Sequence, residues 1–136
     1  MIQLIVGAKG TGKTKRIIDL ANAEIAQDKG AVVFIDDDKR YMYDINSRIR
    51  FVNVSDYHIT SPYSLYGFLC GMLSQNFDIT TVYIDAFLHI IGRAIGELDE
   101  FFATIEKVAE ENNVNFIFNV SAPAEDIPEY LKKYII

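Results

Sequence analysis

Residues Gly7 to Thr14 read GAKGTGKT, the spacing G-x-x-x-x-G-K-[ST]. A pattern this short arises by chance on the order of once in 200 chains of this size, so its flanks must decide. It should follow a buried strand and open a helix. Upstream, Ile2, Leu4, Ile5 and Val6 form a short β-rich apolar run. Downstream, Ile17, Ile18, Ala21 and Ile25 recur at helical spacing, and Gly30 closes the segment. Strand, loop and helix are therefore expected in that order.

A loop with three glycines lets backbone N–H groups approach an anion, which a row of Cβ atoms would prevent. The helix that follows turns its free N–H groups and positive dipole end toward the same anion. Gly7, Ala8, Lys9, Gly10, Thr11, Gly12, Lys13, Thr14 and Lys15 are thus the candidate phosphate-binding residues. Lys13 is expected to reach the outer phosphates and take a catalytic part. Thr14 is expected to place its hydroxyl on a magnesium ion. Of the cations gathered here, Lys9, Lys15 and Arg16 are read mainly as solvated charges.

The chain has 136 residues, enough for one domain with a real core, so residues 1–136 are expected to form a single nucleotide-binding unit. There is no apolar run of membrane-spanning length, and the first strand starts so early that no targeting segment is expected before it. The lone cysteine, Cys70, excludes an internal disulfide and a cysteine-rich zinc site, and its apolar neighbours suggest a packing thiol. A cytoplasmic protein without membrane insertion is expected. A net charge of −6 weighs against a nucleic-acid surface.

Further along, Val32, Val33, Phe34 and Ile35 make a continuous apolar run, as in a strand buried on both faces, and Asp36, Asp37 and Asp38 follow at once. RFVNV, residues 50–54, reads as a shorter strand. Ser61 and Pro62 look like an N-cap and first helical residue. The helix they open carries Leu65, Phe68, Leu69, Met72 and Leu73 on one face. TTVYID, residues 80–85, is a fourth strand. An amphipathic helix within residues 97–112 turns Leu98, Phe101, Phe102, Ile105, Val108 and Ala109 inward, with Asn112 and Asn113 as left-handed stops. NFIFNV, residues 115–120, is the fifth strand, and a short helix is expected near Pro128. The alternation predicts an α/β fold: a mostly parallel five-stranded sheet between helical layers.

A phosphate loop needs a carboxylate near the metal, at the carboxyl end of a neighbouring buried strand. Asp85 ends such a strand and is the candidate metal residue beside Thr14. The next residue is Ala86, where many ATPases have a glutamate that orients the attacking water. A base must then come from elsewhere, and the second strand offers its aspartates.

These features resemble the additional-strand branch of P-loop ATPases, which includes the RecA-like proteins. The resemblance rests on the phosphate loop, on FIDDD, and on the room for two strands before Asp85. It implies a three-layer P-loop NTPase fold with strand order 5-1-4-3-2, numbered along the chain. It also implies that the acidic residue just past the second strand, Asp38 by position, acts on the attacking water. Asn119 and Ser121, ending the fifth strand, are candidate sensors of the γ-phosphate. The whole chain also resembles a family of small bacterial P-loop proteins, some labelled twitching-motility ATPases. The two histidines, His58 and His89, do not make the His-rich boxes of pilus-retraction ATPases, so that label is not adopted.

The guanine-reading N-K-x-D motif is absent, and Phe87-Leu88 breaks the D-x-x-G pattern of GTPase switches. ATP with magnesium is the expected ligand. The expected activity is a slow magnesium-dependent ATPase that couples nucleotide state to a protein partner or to self-association. One alternative is an ATP-binding switch without significant hydrolysis. A small-molecule kinase is a third reading: RYMYD resembles type II thymidine kinases, but Ala86 and the single cysteine depart from their pattern. Arg40, Arg48, Arg50 and Arg93 are available to act across an interface.

Overall fold

The computed structural model describes residues 1–136. Five strands form one sheet: β1 (Ile2–Gly7), β2 (Ala31–Asp36), β3 (Arg50–Asn53), β4 (Ile79–Ile84) and β5 (Asn115–Ser121). Every neighbouring pair among them is parallel. The helices are α1 (Lys13–Ile25), α2 (Pro62–Gln75), the short α3 (Phe87–Ile91) and α4 (Asp99–Asn112).

Strand order is β1-β5-β4-β2-β3, which corrects the expected 5-1-4-3-2. Two placements differ, and burial explains both. β3 is four residues long and begins with exposed Arg50, so it goes to an edge, where a polar side chain keeps its water. β2, buried from Val32 to Asp36, takes the interior position beside β4. β5 is buried from Phe116 to Val120 and lies between β1 and β4 rather than outside β1. Counting strands along the chain could not reveal that exchange. A backbone bridge from Leu4 to Ile135 brings the C-terminal segment against β1.

Alternation along the strands sends side chains to two cores. On one face, Val33, Ile35, Val82, Ile84, Phe116 and Phe118 pack with α2, α3 and α4 in the larger cluster. On the other, Ile5, Phe34, Tyr83 and Ile117 pack against Ile17, Ile18, Ala21 and Ile25 of α1. The inward stripe expected for the 97–112 helix is buried as read, from Leu98 to Ala109. Ser61 caps α2 in a reciprocal box with Ser64, and Asn113 stops α4 in the left-handed conformation at φ 53°. Cys70 is half-buried and packs against the larger core. The turn after Pro128 is a 3₁₀ helix, Glu129–Tyr134.

α3 was not expected from the sequence. Its five residues fall below the length at which helical periodicity shows. Phe87 holds it down: this ring is fully buried, 4.7 Å from Phe118 and 5.5 Å from Phe101 between centroids.

Candidate functional site

The GAKGTGKT loop joins the carboxyl end of β1 to the start of α1. Gly12 is the N-cap, at φ 85° and without a side-chain cap, which suits glycine and leaves the first-turn N–H groups uncovered. Gly7 is needed for close approach, since a Cβ there would lie 2.8 Å from Thr11 Oγ1. Thr11 Oγ1 and Lys13 Nζ both donate to the Ala8 carbonyl, at 2.7 and 2.9 Å. Lys13 is thus folded over the loop and buried, and that burial pulls its ammonium below the ordinary lysine value while Asp85 opposes the shift. Lys15 is solvated and pairs with Asp19 at 2.6 Å, and Arg16 donates to the Ile136 carbonyl.

Register assembles the other wall. Ile5 pairs with Asn119, Ile84 with Phe118, Ile35 with Ile84, and Asp36 with Asn53. One residue past Ile84, Asp85 therefore lies between Asn119 and Asp36 on the α1 face. A row of polar groups crosses the carboxyl end of the sheet. One row deeper on that face lies apolar ground: Phe34 stacks with Tyr83 at 6.4 Å and with Phe51 at 6.2 Å.

Asp85 is the centre of this row. It is not on the strand beside β1, as expected, because β5 intervenes. It nevertheless meets the loop: Thr14 Oγ1 donates to Asp85 Oδ2 at 3.2 Å, across 71 residues of sequence. Its other oxygen accepts from Asn119 Nδ2 at 2.8 Å and from the Ala86 N–H at 2.9 Å. Ala86 itself sits in the left-handed conformation at φ 54°, an uncommon state for a residue with a Cβ.

Asp36 is the residue that sequence reasoning undervalued. It is only 3% exposed. Its Oδ1 accepts from the Asp37 N–H at 2.8 Å, while Oδ2 has no partner. Burial first, and the facing Asp85 second, push its carboxyl up to about 8. Strand parity held the signal: Asp36 is two residues past Phe34, on the same face. Asp38, by contrast, is half-exposed and gives both oxygens to Arg40, at 2.8 Å to the backbone N–H and 3.2 Å to the guanidinium.

These groups line one open cleft of about 1200 Å³. It holds Lys9, Gly10, Gly12, Lys13, Thr14 and Lys15 on one side, and Asp36, Asp37, Asp38, Asp85 and Ala86 on the other, with Ser121 at an end. Tyr41 also lines the cleft, whereas Tyr43 is 92% exposed.

The structure is similar to that of the flagellar accessory protein FlaH from Methanocaldococcus jannaschii, with a TM-score of 0.51 and 15% sequence identity. The match covers 97% of this chain and 65% of the archaeal one. The fold is an α/β one with a five-stranded parallel sheet between helices. No protein-family model matches the chain, and no curated protein does. The likeness to FlaH therefore carries the architecture, a mostly parallel five-stranded sheet, and no role for any residue. No helix is long and apolar enough to cross a membrane.

The donor set suits a hard cation. The Thr14 hydroxyl and the Asp85 carboxylate meet in the cleft, and two buried oxygens lack partners beside them, Asp36 Oδ2 and Asn119 Oδ1. No three His, Cys, Asp or Glu side chains gather as a full metal cage. Magnesium does not require one, since it is held through one or two carboxylates together with substrate phosphates and water.

Proposed function

We propose that the chain binds ATP with magnesium in this cleft and hydrolyses it slowly, coupling nucleotide state to a protein partner or to a second copy of itself. The contact between Thr14 and Asp85 carries the proposal. It joins the uncapped start of α1 to the one carboxylate on which three donors converge. Residues 7–15 would surround the phosphates, with the first-turn N–H groups of α1 and the Lys13 ammonium facing their charge. Lys13 would leave the Ala8 carbonyl to do so, exchanging a neutral acceptor for an anionic one. Thr14 and Asp85 would hold the metal, and Asp36 and Asn119 would accept from its water shell. When bound, magnesium supplies a Lewis acid for the phosphate charge.

Slow turnover follows from two observations. Ala86 offers no carboxylate directly after Asp85. Asp38, expected as the base, is held by Arg40 at the rim of the cleft. The same observations favour a second reading, a binding switch with negligible hydrolysis. Titration calorimetry with ATP, with and without magnesium, tests the shared part, and phosphate release across protein concentration separates the two. Release that rises faster than linearly with protein marks a site completed by a neighbouring copy. ATP binding that ignores both magnesium and Lys13 would remove the proposal.

A further inference from the structure

One pair of groups in the cleft has no part in the function proposed above. Asp37 follows β2, and His89 stands on α3. His89 Nδ1 lies 2.6 Å from Asp37 Oδ2. The Asp37 side chain is 23% exposed and that of His89 82%. Both line the cleft together with Lys13, Thr14 and Asp85.

A carboxylate can only accept, so the ring nitrogen that faces it carries the hydrogen. In the neutral ring this leaves the lone pair on Nε2, the nitrogen turned away from Asp37. An imidazole oriented by a carboxylate, with its far nitrogen free, is arranged to take a proton from a hydroxyl or from water. The fold places this ring on the same cleft as the metal candidates. α3 starts one residue after Asp85, through the left-handed turn at Ala86, and its first residue, Phe87, is fully buried. His89 is therefore four residues from Asp85 along the chain, on a short helix anchored by Phe87. Of the neighbouring acids, Asp38 is committed to Arg40 and Asp85 to Thr14, Asn119 and Ala86, while Asp36 keeps one oxygen unpartnered but is buried beside Asp85.

We propose that His89 is the general base for the water that attacks the γ-phosphate, and that Asp37 is its positioning residue. The inference rests on the ATP-binding function proposed above. In the step, an O–H bond of water breaks and its proton goes to His89 Nε2. The water oxygen forms a bond to the γ-phosphorus. The bond from that phosphorus to the β–γ bridging oxygen breaks, and its electron pair leaves with ADP. Asp37 stabilises the imidazolium formed, and its extra proton then passes from Nε2 to solvent, which restores the neutral ring. No redox partner is involved.

His89 is so exposed that removing its ring leaves no cavity, which makes His89→Ala a clean variant. ATP affinity by calorimetry and single-turnover phosphate release with enzyme in excess are measured for wild type, Lys13→Ala, His89→Ala, Asp37→Asn, Asp37→Glu and Asp38→Asn. His89→Ala is expected to bind ATP within about twofold of wild type and to release phosphate roughly 10²-fold more slowly, the lower end for a lost general base. Added imidazole is expected to restore part of that rate. Asp37→Asn should slow release with affinity unchanged, and Asp37→Glu should recover part of it. The assignment is overturned by wild-type release from His89→Ala, by a loss that imidazole does not repair, or by ATP binding without any release from the wild type. An absence of Lys13-dependent ATP binding instead overturns the nucleotide reading itself, and calorimetry alone reveals it.

Discussion

Asn119 donates its side-chain amide to Asp85 at 2.8 Å, so the strand that separates Asp85 from β1 also holds the Asp85 carboxylate in place. Asn119 is 2% exposed and its own oxygen is unpartnered. Asn119→Ala takes a donor from a buried carboxylate. It is expected to cost roughly 1–3 kcal/mol of stability and to blunt the magnesium dependence of ATP binding. Chemical denaturation and calorimetry of the variant check both. Unchanged stability together with unchanged magnesium dependence would leave the contact without consequence.

Lys13→Ala removes the one buried cation of the loop. A charge-assisted contact to phosphate is worth about 1.5–3 kcal/mol, so ATP affinity should fall about ten- to a hundredfold. Calorimetry reads the change directly. Lys15→Ala serves as the contrast, because Lys15 pairs with Asp19 in solvent, and its effect should be much smaller.

Asp85→Asn keeps the shape of the side chain and removes its charge. ATP binding in the presence of magnesium should weaken, while the magnesium-free affinity changes little. Comparing the two affinities isolates the metal contribution. An equal loss in both would move Asp85 from the metal to the fold.

Asp36→Asn should change stability in a pH-dependent way in the metal-free protein. The folded carboxyl is raised to about 8 from an ordinary value of 3.8, through burial first and Asp85 second. The folded state therefore holds a proton that the unfolded state gives up earlier. Stability is greatest at low pH on this account, falls as pH rises from about 4 towards about 8, and levels above that. Asn needs no proton, so the variant should be more stable than wild type above pH 8, by roughly 1–3 kcal/mol or a few degrees in Tm. Near pH 4 the two should nearly coincide. Thermal melts across that range without magnesium give the answer, and parallel curves would contradict the account.

Phe118→Ala tests the packing that positions α3. Phe118 is fully buried against Phe87, Phe101, Phe102 and Phe116. Truncating such a ring costs about 3–5 kcal/mol, a large part of the stability of a chain this size. Denaturant melts measure it. A cost under about 1 kcal/mol would mean that the cluster collapses around the gap.

The sequence by itself determined the strands, the three longer helices, the loop and its order between β1 and α1. Each of those signals is local: an apolar run in β2, a 3.6-residue stripe in α4, a Ser-Pro start for α2, a glycine spacing. It also marked Thr14 and Asp85 as candidates for one metal, through residue type and position at an element's end. Tertiary structure alone decided which strands are neighbours, because a parallel pairing joins segments whose separation in sequence says nothing about adjacency. β5 thereby came between β1 and β4, and brought Asn119 to Asp85. Pairing also chose among three consecutive aspartates that look alike in sequence. Strand parity and the β2–β4 register buried Asp36 beside Asp85; β2 ends there, and the chain turns so that Asp37 meets His89 and Asp38 lies at the rim with Arg40. Side-chain direction alternates with every residue, so a shift of one position separates a buried carboxyl from a solvated one.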